Sequence, residues 1–145
     1  MGWIVASAGG LVAMAAGLAG LILNWSALAT GPIGLTVQVA AVAVMIWARQ
    51  TFGLRSFHAT ANPTGGGLVT SGPYRFLRHP IYAAVLWFTW AGALSHPSAT
   101  NAASAVVGTV GAAVRIAAEE RLLRARYPDY AAYATHTRRI IPYVF

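Results

Sequence analysis

Four apolar runs, separated by short polar stretches, dominate the pattern of the chain. The first spans Trp3 to Leu23 without a charged residue, and the second spans Ile33 to Ala48. At 1.5 Å per residue, the first run would form a helix of roughly 30 Å, about the thickness of the hydrocarbon core of a bilayer. A shorter third run, Ile81 to Leu94, and a fourth, Ala102 to Ala118, flank the turn-rich stretch "SHPSATN" and predict a helical hairpin. We predict an all-α membrane bundle with about four transmembrane helices.

The first run carries two further signals. No basic residue precedes Trp3, unlike the start of a cleaved signal peptide, so we expect a retained helix. Small residues recur at every fourth position, Gly9, Ala13 and Gly17. This spacing suits close helix packing in lipid, although alanine-rich runs also produce it by chance.

The composition agrees with a membrane protein. Of 145 residues, 57% are hydrophobic and 9% are charged, against about 25% charged in a typical soluble domain. The chain has no cysteine, which excludes disulfides, a thiol nucleophile and a cysteine-based metal site. The net charge of +7 comes from arginine without lysine. In a soluble protein this would suggest a nucleic-acid partner, but in a membrane protein it is typical of cytoplasmic loops, so we expect no nucleic acid.

The distribution of arginine predicts an orientation. The loops at 24–32 and 95–101 contain none. The arginines outside the apolar runs fall on the other side of a four-span arrangement: Arg49, Arg55, Arg75, Arg78 and those from Arg121 to Arg139. Because cytoplasmic loops carry the excess of positive charge, we predict that both termini face the cytoplasm.

The stretch "SGPYRFLRHPIY", residues 71–82, contains the first candidate chemistry. The Gly-Pro pair at 72–73 indicates a turn. The pair His79-Pro80 predicts a helix start, whose free N–H groups are expected to face water and to suit an anionic group. Helical spacing places His79 and Tyr82 on one face. The alternative interpretation is a juxtamembrane anchor of arginine and tyrosine at the interface.

The stretch "RIAAEERLL" contains two of the three acidic residues, Glu119 and Glu120. Adjacent helical residues diverge by about 100°, so these side chains are predicted to point in different directions. Arg115 with Glu119, and Glu120 with Arg124, have i,i+4 spacing, and one interpretation is two ion pairs on the helix surface. Ionisable groups near membrane depth are costly and usually functional, which favours a polar pocket between helix ends.

Taken in order, three features resemble the isoprenylcysteine carboxyl methyltransferase family and the related phospholipid methyltransferases. They are the "RHP-x-Y" element, the paired glutamates and the tail "YPDYAAY…IP", all within residues 67–145. One departure is Ala84, where the family usually has glycine, and it concerns packing. The resemblance implies a single membrane domain over 1–145. In it, 67–145 forms the cofactor-binding half and the two N-terminal helices, 1–56, form the acceptor side.

The resemblance further implies an enzyme, an S-adenosylmethionine-dependent methyltransferase, with a cytosol-facing cofactor pocket, a C-terminal amphipathic tail and a lipophilic acceptor. We expect a carboxylate acceptor of the isoprenylcysteine type. With a pKa near ~4, a carboxylate needs no general base at neutral pH, whereas an amine or a thiol would, and His79 is the only obvious helper. Either Glu119 or Glu120 is expected to accept the cofactor ammonium, and we favour Glu119. We predict catalytic roles for Glu119 and for Arg115, which either holds the acceptor carboxylate or only pairs with Glu119. The residues expected to bind the cofactor are Tyr74, Arg75, Arg78, His79, Pro80, Tyr82, Glu119 and Glu120. Tyr130 and Tyr133 either close that pocket or anchor the chain at the interface.

Two other classes of function remain open. Membrane sterol and steroid reductases share a similar His-Pro and C-terminal pattern but use NADPH, and they usually carry more helices before it. A non-catalytic membrane protein that kept the pocket is the second. We expect no metal site, because His58, His96 and His136 lie on different segments without an i,i+4 ligand pair. The stretch "GGGL" lacks the strand–loop–helix setting of a dinucleotide fingerprint and is predicted to be a flexible loop.

Overall fold

The fold is known from a computed structural model that describes residues 2–53 and 67–144. Within these ranges it has no strand. Its α-helices are α1 Gly2–Leu23, α2 Pro32–Phe52, α3 Pro80–Ser95, α4 Ala99–Arg126 and α5 Tyr130–His136, and a 3₁₀ turn covers Gly72–Arg75. The all-α prediction is confirmed. Arg55, His58 and the first two glycines of the "GGGL" stretch lie outside the described residues.

Three helices, α1, α2 and α4, are long and apolar enough to cross a membrane. The third predicted span is α3, an apolar helix of 16 residues. Its length is about 24 Å, less than the ~30 Å of a hydrocarbon core. Helix α4 is longer than the fourth predicted run, which ends at Ala118. It has 28 residues in total and ends at Arg126, so its length is about 42 Å.

Local sequence explains where the helices begin and end. Proline occupies the first turn of α2 and of α3, where its missing N–H costs nothing. The helix start predicted at His79-Pro80 is confirmed. The side chain of Ser98 caps α4 by accepting a hydrogen bond from the backbone N–H of Asn101 at 3.1 Å. Gly53, with φ of +65°, ends α2 in a conformation that glycine adopts without strain.

The helices pack α1 on α4, α4 on α3 and α3 on α2. Small residues bring α1 and α4 together. A Cβ atom added at Gly10 would lie 2.6 Å from the carbonyl oxygen of Gly111, and one at Gly17 would lie 2.5 Å from that of Ser104. The interface predicted through Gly17 is confirmed, but the prediction for Gly9 is wrong. Gly9 is exposed, and an added Cβ would meet nothing within 4 Å, because the contact runs through its neighbour Gly10.

The bundle has two chemically different ends. At one end, which we call the polar end, the side chains of Asn24 and Asn101 are hydrogen-bonded at 3.2 Å. Nearby, the buried amide of Gln38 fixes the α1–α2 loop, with its Oε1 3.0 Å from the N–H of Ala29. The other end, which we call the charged end, brings together the starts of α1 and α3 and the last turns of α2 and α4. There the guanidinium of Arg121 lies 4.7 Å from the ring centre of Trp3.

Candidate functional site

A histidine held between two carboxylates forms the centre of the charged end. The ring of His79 lies at the start of α3 and is buried. Its Nδ1 is 3.7 Å from Oε2 of Glu119, and its Nε2 is 3.4 Å from Oε1 of Glu120. The two glutamates diverge as predicted, but they contact opposite nitrogens of the same ring. His79 therefore links α3 to both acidic positions of α4.

Glu119 faces the interior of the bundle. The hydroxyl of Tyr82 donates a hydrogen bond to Glu119, and Nε of Arg115 lies 3.2 Å from the same carboxylate oxygen. Arg115 is buried and also donates from Nη1 to the backbone carbonyl of Ser7 at 3.2 Å. The predicted i,i+4 pair is confirmed, and it ties α1, α3 and α4 together. The Glu119 side chain remains 20% exposed, so a ligand can reach it.

Glu120 is the more deeply engaged carboxylate. Nε of Arg78 lies 3.0 Å from Oε1, and Arg139 donates from Nε and Nη2 to the two oxygens at 3.2 Å each. The predicted partner Arg124 is also present, at 3.5 Å. The alternative interpretation, an ion pair on the helix surface, is wrong for Glu120, whose side chain is only 7% exposed. It is covered because Arg78 and Arg139 approach it from outside α4.

The C-terminal segment, residues 127–144, follows α4 and includes α5. It covers the start of α3. The guanidinium of Arg78 donates to the carbonyls of Ala134, at 2.9 Å, and of Thr137. Backbone hydrogen bonds join the same two stretches: His79 N–H to the Arg139 carbonyl at 3.0 Å, and Arg138 N–H to the Phe76 carbonyl at 3.0 Å. The expectation that this helix start faces water is therefore wrong, since the C-terminal segment lies over it and His79 is buried.

Six of the eight predicted cofactor residues meet in this cluster, and two do not. Tyr74 is buried beside it, with its ring 5.5 Å from that of Phe52 and its carbonyl accepting a hydrogen bond from the hydroxyl of Tyr133. Arg75 is exposed, with its guanidinium 5.2 Å from the ring centre of Phe76. The six that converge are Arg78, His79, Pro80, Tyr82, Glu119 and Glu120.

The sequence reasoning missed two participants, Arg139 and Ser7, and left the role of a third, Tyr130, open. Arg139 completes the shell of Glu120, and hydrogen bonding to that carboxylate raises the pKa of the Arg139 guanidinium. Ser7 contributes its backbone carbonyl, for which side-chain chemistry gives no signal. Tyr130 is fully buried, its pKa is raised by that burial, and its hydroxyl has no hydrogen-bond partner among the described residues. Burial of Tyr130 favours the first of its two predicted roles, closing the pocket, over anchoring at the interface.

Two other features bear on ligand binding. A cavity of about 540 Å³ opens at the polar end, lined by Asn24, His96, Asn101 and small polar residues. It lies at the opposite end of the bundle from the charged cluster. In the two ranges that the structure covers, no group of three His, Asp or Glu side chains could hold a metal ion. In the charged cluster the two glutamates lie at opposite nitrogens of His79.

Comparison with known proteins gives two matches. The family model described as phospholipid methyltransferase matches residues 26–130, which is more than half of the chain. The chain is also 36% identical over 76 residues to the "Cobalt-zinc-cadmium resistance protein CzcN" of Cupriavidus metallidurans. That match covers 52% of this chain and 35% of the relative, so the chain spans about a third of the relative's length. No solved structure matches.

Proposed function

The chain belongs to the phospholipid methyltransferase family, and on that premise we propose that it transfers a methyl group from S-adenosylmethionine to a lipophilic acceptor at the membrane–cytosol interface. Membership of this family supports the general assignment of the chain as a membrane methyltransferase. The observation that carries the proposal is the convergence of His79, Tyr82 and Glu119 at one end of the bundle. We also propose that both termini and this site face the cytosol, where the cofactor is dissolved.

The donor groups of the cluster fit the cofactor. S-adenosylmethionine presents an ammonium, a carboxylate and an adenosine, and Glu119 is our proposed ligand for the ammonium because its carboxylate is partly exposed. Glu120 is proposed to position the surrounding residues rather than to contact the cofactor ammonium, since three arginines and His79 already surround its oxygens. The unpartnered, buried hydroxyl of Tyr130 offers one further polar contact.

Most of the remaining predicted residues have proposed roles around these carboxylates. Arg78 supplies positive charge for the cofactor carboxylate, and Pro80 fixes the helix start that carries His79. Arg75 is exposed and lies outside the cluster, so it has no place in the proposed cofactor site. Tyr74 and Tyr82 provide aromatic surfaces for the nucleoside. Tyr74 borders the cluster through Tyr133, which hydrogen-bonds its carbonyl at 2.6 Å.

The charge of the acceptor determines what the protein must do. When bound, S-adenosylmethionine supplies an electrophilic methyl group on a positively charged sulfur. A carboxylate acceptor is already ionised at neutral pH, so the site has to orient it rather than deprotonate it. Arg115 is our proposed holder of that carboxylate, because it is the buried cation next to Glu119 and lies about 24 Å along α4 from Ala99, within the apolar layer.

A second candidate acceptor is a phospholipid amine, which the description of the matched family favours. An amine would have to lose a proton first. The only obvious base for that step, His79, already faces a carboxylate at each of its ring nitrogens in this structure. The name of the relative concerns cobalt, zinc and cadmium resistance. Because the match covers about a third of that protein, it assigns no role in metal resistance to this chain.

The nature of the methylated product tests the proposal. Membranes containing the protein would be incubated with methyl-tritiated S-adenosylmethionine, and the lipid extract treated with alkali. A methyl ester releases volatile tritiated methanol, whereas an N-methylated phospholipid keeps its label. We expect volatile label with the wild type, about background with Glu119→Gln, and wild-type levels with Arg124→Gln as the matched control. Label that stays alkali-stable would replace the carboxylate by the amine, and no label in lipid would refute methyl transfer.

A further inference from the structure

The short helix α3 sets the depth of the segment that precedes it. α3 and α4 are packed neighbours joined by residues 96–98 at the polar end. From there α3 rises about 24 Å to Pro80, and α4 rises about 30 Å from Ala99 to Glu119. Residues 75–79 and the C-terminal stretch paired with them thus lie about 24–30 Å from the polar end. At that depth a hydrocarbon core of ~30 Å gives way to lipid headgroups.

A basic and apolar surface is exposed at this depth. We call it the terminal patch, and it comprises Arg75, Phe76, Arg138, Ile141, Tyr143 and Val144. The hydrogen bond from Arg138 N–H to the Phe76 carbonyl, at 3.0 Å, joins the two stretches, and Arg75 stacks over the Phe76 ring. Tyr143 is 85% and Val144 74% exposed, and Phe76 and Ile141 are also exposed.

The charges of the patch are unlike those of the cluster beneath it. Arg75 and Arg138 are exposed, and within the described ranges neither forms an ion pair with a carboxylate. Arg78 and Arg139, their counterparts on the same two stretches, both contact Glu120. Two of these four arginines, Arg78 and Arg139, thus face inward and bind a carboxylate. The other two, Arg75 and Arg138, face outward toward the surroundings of the protein.

From this surface we infer that the terminal patch binds the headgroups of anionic phospholipids in the surrounding leaflet, and that this binding holds the C-terminal segment over the charged cluster. Guanidinium groups pair with phosphate through two parallel hydrogen bonds, and aromatic side chains are favoured at the headgroup level. Each arginine near an anionic bilayer surface strengthens binding about fivefold. The inference is independent of methyl transfer, because it concerns lipid bound without cofactor or acceptor.

Lipid titration tests the binding part. Full-length protein in neutral detergent would be titrated with short-chain phosphatidylglycerol and, separately, phosphatidylcholine. We expect Arg75→Gln/Arg138→Gln to weaken phosphatidylglycerol binding about tenfold to thirtyfold. Arg121→Gln/Arg126→Gln, which removes the same charge from the last turns of α4 outside the terminal patch, should weaken it less than the patch variant does. Equal weakening by both double variants, or equal wild-type affinity for the two lipids, would overturn the assignment.

Amide hydrogen exchange tests the holding part. The N–H groups of His79 and Arg138 close the bonds between the two stretches, so their exchange reports opening of the C-terminal segment. We expect slower exchange in nanodiscs with phosphatidylglycerol than in purely phosphatidylcholine nanodiscs, and no such difference in Arg75→Gln/Arg138→Gln. Equal wild-type exchange in the two bilayers would mean that contacts within the protein hold the segment without lipid, and this part of the proposal would fall.

Discussion

Replacing each of the two adjacent glutamates by glutamine should separate a structural carboxylate from a functional one. Glu120→Gln keeps the size of the side chain but removes the charge that faces Arg78 and Arg139. Breaking a buried ion pair from one side costs about 3–5 kcal/mol, because the remaining charge is left uncompensated. Arg78, at 9% exposure, cannot reach water, whereas Arg139, at 37%, can. We therefore expect a loss near the lower limit, about 3 kcal/mol.

Glu119→Gln should show the opposite balance. Its carboxylate is partly exposed, and Arg115 keeps the Tyr82 hydroxyl and the Ser7 carbonyl as partners. The expected loss of stability is about 1–2 kcal/mol. If Glu119 binds the ammonium of the cofactor, the lost charge-assisted contact should cost about 1.5–3 kcal/mol of binding, or roughly tenfold to a hundredfold in affinity.

Thermal unfolding in detergent and calorimetric titration with S-adenosylhomocysteine measure the two effects separately. For a chain of this size, about 3 kcal/mol corresponds to a fall in Tm of roughly 6–12 °C. Arg124→Gln is the control, since it removes an exposed partner of Glu120 and should cost less than about 1 kcal/mol. A Tm of Glu120→Gln equal to that of the control would refute the buried network. Cofactor affinity of Glu119→Gln within about twofold of wild type would refute the ligand assignment.

Three further outcomes are expected. Gly17→Ala should destabilise the protein by about 1–3 kcal/mol, because its methyl group would press on the α4 backbone, and Gly9→Ala should be neutral or slightly stabilising; equal Tm values for both would contradict the α1–α4 interface. Burial raises the pKa of the Tyr133 hydroxyl to about 12 in the folded protein, against ~10 in the unfolded chain. The folded state therefore holds this proton more tightly. The resulting contribution to stability is fully present below about pH 10 and is lost as pH rises toward about 12. A stability–pH curve of Tyr133→Phe that is no flatter than that of wild type above about pH 10 would count against this. A reporter fused after Phe145 should appear in the cytoplasm, and a signal from the opposite side would overturn the orientation.

Much of the helical layout could be predicted because its signals are local. Proline at the first position marks the start of α3, and the length of the apolar runs distinguishes α1 and α2. The register of α1 could not be predicted, because a helix that is apolar on every side gives no periodic signal to separate Gly9 from Gly10. The length of α4 was underestimated because its last two turns are charged and carry no hydropathy signal.

In the candidate site, too, contacts within one helix could be predicted, whereas contacts between distant parts of the chain could not. The pairing of Arg115 with Glu119 follows from i,i+4 spacing within one helix. The burial of Glu120 does not, because Arg78 is 42 residues and Arg139 19 residues away along the chain. Nor could spacing show that Arg75 faces outward while Arg78 faces inward, since that depends on the backbone pairing with the C-terminal segment.

Cofactor selectivity tests the central claim most directly. Wild-type protein purified in detergent would be titrated by calorimetry with S-adenosylhomocysteine and, in parallel, with NADPH. The proposed methyltransferase site predicts saturable binding of S-adenosylhomocysteine, weakened roughly tenfold or more in Glu119→Gln, and no binding of NADPH. Saturable binding of NADPH without binding of S-adenosylhomocysteine would contradict methyl transfer and assign the charged end to a reductase.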